Sequence, residues 1–267
     1  MPILIDSHVH IHNCYNLEEF FRNTFINFSE YANKIEKGKE WIGVVCLTEI
    51  EGVDYFNLLK DSKSKLDLSN YKIQTTSEEN SIIVSNKREQ KIIVIAGKQI
   101  IANDGIEILA LGTANNFSEG RSIKDTVDEI NNVNAIAVLP WGVGKWLGKR
   151  KEIIKNFIEV NKTPKFFLGD NSGRPSFWSE SEIFKLGRSL NHFVLPGTDA
   201  LAISSEVNKT GTYGLYLNSE LNLNEPTKDL FQQILNLKTQ PQAFGKLETP
   251  VKFFKNQITM QINKRRK

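Results

Sequence analysis

The chain has 267 residues, 40% of them hydrophobic, a formal net charge of +3 and two cysteines, Cys14 and Cys46. That length and apolar content suit one large α/β domain, and so few cysteines exclude a disulfide framework or a cysteine-rich zinc module. So mild a charge permits an anionic substrate and argues against a dedicated nucleic-acid binder, whose cations should form a stripe interleaved with aromatic rings.

Short apolar runs rich in β-branched residues recur at 3–5, 41–47, 92–96, 106–111, 135–139, 166–168 and 193–195. Their nearly continuous apolar character fits parallel strands covered on both faces. Between them, residues 17–37 repeat Leu17, Phe20, Phe21, Phe25 and Phe28 at helical spacing, and 122–132 and 151–160 read as shorter helices. Ser179 followed by Glu182 gives a capping-box pattern ahead of a helix over 183–190. Residues 71–76 and 81–85 read as a hairpin, and the chain beyond Leu237 as irregular, ending in a basic tail from residue 263. A βαβα order predicts a parallel sheet or barrel. No apolar run approaches the ~20 residues of a membrane span, and no signal-like segment opens the chain, so a cytoplasmic protein without a membrane partner is expected.

In such folds functional groups gather where strands run into the following loops. The first strand runs into Asp6-Ser7-His8-Val9-His10-Ile11-His12. Alternation puts His8, His10 and His12 on one face of an extended chain, where two or three imidazoles could meet one metal. A solvated strand end would also accommodate them, but three of the chain's four histidines lie within five residues, which favours a metal or catalytic role. His192, ahead of a strand, reads as a surface residue. Asp199 follows the last apolar run as a carboxylate ligand, a proton acceptor or a simple loop cap. The glycine-rich loop after 135–139 carries Trp141 and Lys145, and the loop after 166–168 carries Asp170 and Arg174. Trp141, Lys145 and Arg174 read as a pocket for an anion, with Asp170 orienting a ligand or water, although an Asp-Asn turn explains the second loop nearly as well.

Asp6-Ser7-His8-Val9-His10 resembles the opening motif of the PHP family of metal-dependent hydrolases and, more distantly, of the amidohydrolases. Further segments follow in that family's order: Leu47-Thr48-Glu49-Ile50, Ala96-Gly97-Lys98-Gln99, the strand beginning Ile106-Glu107, and Pro196-Gly197-Thr198-Asp199-Ala200-Leu201. The resemblance covers residues 1–201. It implies a distorted seven-stranded βα barrel of PHP/TIM-like type with a hairpin elaboration, forming one domain over 1–267. It also implies a divalent metal (Zn, Mn or Fe) held by His8, His10 and Asp199 with Glu49 or Glu107. Ile50, Gln99, Trp141 and Leu201 stand where the family has ligands, so fewer ions are expected than in a full PHP site. The function implied is a metal-dependent hydrolase of a small anionic substrate such as a phosphoester. The alternative is a catalytically reduced PHP-like binding or interaction module. A nucleic-acid-associated subunit is set aside on the mild charge and the lack of a basic-aromatic stripe.

Overall fold

A computed structural model describes residues 1–61, 66, 68–162 and 165–265. In chain order the strands are β1 (Pro2–Val9), β2 (Ile42–Leu47), β3 (Tyr71–Thr75), β4 (Ser81–Asn86), β5 (Lys91–Ile95), β6 (Gly97–Ala102), β7 (Ile106–Leu111), β8 (Ile136–Pro140), β9 (Phe166–Asn171), β10 (Val194–Gly197), β11 (Tyr213–Asn218) and β12 (Gln242–Gly245). The helices are α1 (Leu17–Ile35), α2 (Tyr55–Lys60), α3 (Ile123–Asn132), α4 (Lys149–Val160), α5 (Glu182–Ser189), α6 (Pro226–Leu235) and α7 (Pro250–Arg265). None of the described helices is long and apolar enough to cross a membrane.

The strands form two mixed sheets, ordered β12-β11-β1-β2-β5-β4-β3 and β10-β9-β8-β7-β6. Alternation along β1 explains how they stack. Ile3 and Ile5 join a core shared with Val44, Ile93, Leu109, Val138 and Leu195, which draws on both sheets. Leu4 faces the opposite way, toward Phe20, Phe21, Phe25 and Phe28 of α1. Burying each of these rings and aliphatic chains stabilises the fold by about 1.5–3 kcal/mol. The outer face of the second sheet is covered by α3, α4 and α5 through Val127, Ile130, Ile154, Ile158 and Phe184.

This is not the closed seven-stranded barrel that the motif series implies. Closure needs continuous ladders from β2 to β6 and from β10 to β1. Instead β2 pairs with β5, and among the described residues the strand pairing between the two sheets on that side is the isolated bridge between Glu49 and Lys98. On the other side Pro196 has no N–H to offer, and β1 is irregular between Asp6 and Val9, where its register with β2 shifts. Side chains hold that seam: Ser7 Oγ donates to Pro196 O at 2.9 Å, and Thr198 Oγ1 donates to Asp6 Oδ2 at 2.7 Å.

The expected hairpin is present as antiparallel β3 and β4. The region past Leu237 is ordered rather than irregular, because β12 adds to β11 and α7 follows it. Helix α5 is capped by Ser181, whose side chain accepts from Ile183 N, and not by Ser179. His192 is fully buried, stacked on Phe166 at 4.1 Å, with Nε2 2.8 Å from Asn161 O; the surface expectation for it does not hold.

Gly97 marks the point where the chain leaves one sheet for the other. A Cβ there would lie 2.2 Å from Leu47 O and 2.8 Å from Ala110 O, both backbone atoms. Gly97→Ala should therefore destabilise the protein by about 1–3 kcal/mol or more, lowering the urea midpoint. An unchanged midpoint would show that the two sheets are free to move apart there.

Candidate metal centre

The end of β1 is organised by Asp6, a fully buried carboxylate. It accepts from Thr198 N at 2.8 Å, Thr198 Oγ1 at 2.7 Å and Gly211 N at 2.9 Å, so one side chain ties β1 to the loops after β10 and before β11. Burial, the largest influence, pushes its pKa up to about 6 against the lowering effect of these donors. Across the seam Gly197 is needed because a Cβ would sit 2.4 Å from His8 N. Two residues later Asp199 takes a left-handed backbone (φ 46°), an uncommon conformation that aspartate tolerates better than most residues, and its N–H donates to His8 O at 2.8 Å.

These constraints bring His8, His10 and Asp199 together. The two Nε2 atoms are 3.1 Å apart, and each lies 3.5 Å from Asp199 Oδ1. A triangle with those sides has its centre about 2 Å from every corner, the length of a zinc–imidazole or zinc–carboxylate bond. Two imidazoles and a carboxylate suit Zn, Mn or Fe and leave positions for water or substrate. Burial lowers the His8 pKa to about 4, with His10 and Lys145 adding to it and Asp199 opposing, so the imidazole is neutral and able to ligate near pH 7. Burial alone would raise Asp199, but His8, His10 and Lys145 outweigh it and hold the carboxyl well below the usual range.

His12 is not part of the triangle, since its Nε2 lies 2.8 Å from Ala200 O. Glu49 is spent on Lys98 Nζ at 2.9 Å and on Phe56 N at 2.8 Å. Glu107 is paired with Lys145. Both glutamates read as oxygen ligands in the sequence, and in the fold both face lysines. Arg174 grips Asp170 with two hydrogen bonds, Nε to Oδ1 at 2.9 Å and Nη2 to Oδ2 at 2.7 Å, and Tyr213 also donates to Asp170 at 2.9 Å. Neither the Arg174 guanidinium, further used by Trp178 O, nor the Asp170 carboxylate is left open to a ligand. Trp141 is buried rather than lining an open pocket.

Asp170 instead fixes Asn171, whose N–H it accepts at 3.0 Å. Asn171 Nδ2 in turn donates to Asp199 Oδ2 at 2.9 Å and to Trp141 O at 2.8 Å. The sequence reading assigns no role to Asn171 or Asp6, although Asn171 directly follows Asp170 and Asp6 opens the Asp6-Ser7-His8-Val9-His10 motif, which are the signals the sequence offers. Beside the triangle opens a cleft of about 620 Å³ whose walls include Glu49, Lys98, Gln99, Phe117 and Glu119. Gln99, which also reaches His8, connects the two.

Neither a protein-family model nor a curated protein matches the sequence. Among solved structures the chain is similar to PsfC from Pseudomonas syringae PB-5123, at 12% identity over 97% of this chain and 98% of that one, with a TM-score of 0.57. It is also similar to the lesion-specific endonuclease PfuEndoQ from Pyrococcus furiosus, at 11% identity, 90% and 58% coverage and a TM-score of 0.46. A third is Endonuclease Q in complex with a 27-mer duplex substrate bearing an abasic lesion, at 13% identity, 88% and 57% coverage and a TM-score of 0.44. At these identities the likeness is one of fold alone. The expectation that set nucleic acid aside is nonetheless corrected, because a solved structure in this group holds a nucleic-acid duplex. A mild net charge does not exclude that class of partner.

Asp6 and His8 act on stability with opposite signs. His8, lowered to about 4, contributes stability that is present above 6.5 and lost as pH falls through about 4. Asp6, raised to about 6, contributes stability that is present below 3.8 and lost as pH rises through about 6. Asp6→Asn removes the second slope. Urea unfolding of chelator-treated protein should then show its stability climbing more steeply than wild type between pH 4 and 6. Parallel curves would mean that Asp6 keeps an ordinary pKa.

Proposed function

We propose that the chain is a metal-dependent hydrolase of phosphoesters that uses a single divalent ion held by His8 Nε2, His10 Nε2 and Asp199 Oδ1. The observation that carries this reading is the triangle of donor atoms, 3.1, 3.5 and 3.5 Å on its sides, which fits one ion. The ordered motifs that resemble the PHP family support the same reaction class, as an analogy. An ion bound there would acidify a water and polarise a phosphoryl oxygen.

The protein's own groups have separable tasks. Arg174 orients Asp170, Asp170 orients Asn171, and Asn171 holds Asp199 Oδ2 so that Oδ1 faces the imidazoles. Lys145, steadied by Glu107, brings positive charge close enough to act on both His8 and Asp199, and would donate its remaining N–H groups to the substrate's phosphoryl oxygens. Arg174 is a positioning residue in this scheme rather than an anion clamp. The cleft beside Gln99 would receive the rest of the ester.

A second reading, a metal-binding module without turnover, is favoured by one observation: Glu49 and Glu107, the other candidate oxygen ligands, are both held by lysines.

Elemental analysis of protein purified without chelator should find one divalent ion per chain, and none or far less in His10→Ala. The loaded wild type should hydrolyse bis-p-nitrophenyl phosphate. Lys145→Met should keep the ion but slow turnover by about ten- to a hundredfold, the worth of one charge-assisted contact. A bound ion with no turnover would select the binding module, and a protein that takes up no ion would remove both readings.

A further inference from the structure

We infer that the outward face of α7 is a docking surface for a bilayer containing anionic lipid. The helix is held to the body by its inner side. Phe253 and Asn256 are buried, Asn256 Nδ2 donates to Glu206 Oε1 at 3.3 Å, and Lys252 Nζ lies 3.1 Å from the same carboxylate. Its outer side carries Val251, Phe254, Ile258 and Ile262, with relative exposures of 82%, 57%, 60% and 45%. Their spacing of three, four and four residues puts them in one stripe about 17 Å long.

The stripe is continuous with a second exposed ring. Phe177, 59% exposed, stacks on Phe254 at 6.2 Å, and its neighbour Trp178 is 37% exposed. A contiguous apolar surface of this kind on a folded domain marks an interaction site. Its charge says with what. By sequence the segment 250–267 carries Lys255, Lys264, Arg265, Arg266 and Lys267 besides Lys252, which Glu206 and Glu248 already hold, and it contains no acidic residue, so its net charge is positive. A second copy of the same helix would bring like charges together. A nucleic acid would use the cations and rings but leave Val251, Ile258 and Ile262 in water. An anionic bilayer surface takes both, with the apolar stripe at the acyl boundary and the cations among the headgroups. Trp178 also packs on Trp141 at 5.9 Å, and Asn171 donates both to the Trp141 carbonyl and to Asp199, so a run of contacts links this face to the His8–His10–Asp199 centre.

The test is sedimentation with sucrose-loaded vesicles of phosphatidylcholine alone, or with about a third phosphatidylserine. Wild type should pellet with the anionic vesicles and be released by added salt. The double variant Phe254→Ser/Ile258→Ser changes only exposed positions and should leave the circular dichroism spectrum intact. Its binding should be weaker by roughly tenfold or more. Failure of the wild type to pellet with anionic vesicles, or equal binding by the variant, overturns the inference. So does a wild-type dimer, seen by equilibrium sedimentation without vesicles, that the variant dissolves, since a second copy would then cover the face. Tighter binding to an oligonucleotide than to the vesicles, lost in the variant, would likewise overturn it and assign the face to nucleic acid.

Discussion

One carboxylate with no access to water holds the centre of this molecule together. Asp6 sits at the end of β1 and takes hydrogen bonds from the backbone of Thr198 and Gly211 and from the Thr198 hydroxyl. Stripped of solvent, such a charge is costly unless its lone pairs are filled. Here the chain segments that fill them are the ones that must meet for His8 to face Asp199. The expense of burying Asp6 and the geometry of the candidate metal centre are thus a single arrangement.

Around that centre the structure supplies positive charge from side chains. Lys98 neutralises Glu49 and Lys145 neutralises Glu107, both at positions where the motif resemblance leads one to expect carboxylates available to metal. An ammonium group balances a carboxylate without needing several ligands, and it stays with the protein at any metal concentration. The centre left over is small, with one set of three donor atoms among the described residues.

Much of this organisation was legible in the sequence, and what was not has identifiable causes. All seven apolar runs are strands, because fully buried strands leave an unambiguous hydrophobic trace. β6, with half-buried Lys98 and Gln99, and β11 and β12, near the edge of their sheet, mix polar residues into short segments and leave none. Helix α7 escaped notice because its apolar residues lie on two sides, Phe253 inward and Phe254 outward. The closed barrel is implied by the motif resemblance, and neither those motifs nor a βα rhythm reveals which strands share ladders. His8, His10 and Asp199 were legible since the two histidines alternate where β1 ends and the third residue sits in a recognisable closing motif. The fates of Glu49, Glu107 and Arg174 depend on partners 49, 38 and 4 residues away, and a residue's letter does not say whether its charge is already spent.

The seam between β1 and β10 lacks a continuous backbone ladder, and the candidate ligands stand on opposite sides of it. His8 and His10 come from the end of β1, in the larger sheet, while Asp199 follows β10 of the smaller one. An ion bound at that point would act as a rivet between two plates that otherwise meet there through side chains and the single backbone bond from Asp199 N to His8 O. Occupancy and cohesion then become one thermodynamic quantity, and a ligand at a hundredfold its dissociation constant contributes about 2.7 kcal/mol to the folded state. In an environment where the metal is scarce, the chain would lose rigidity at the same moment that it loses its chemistry.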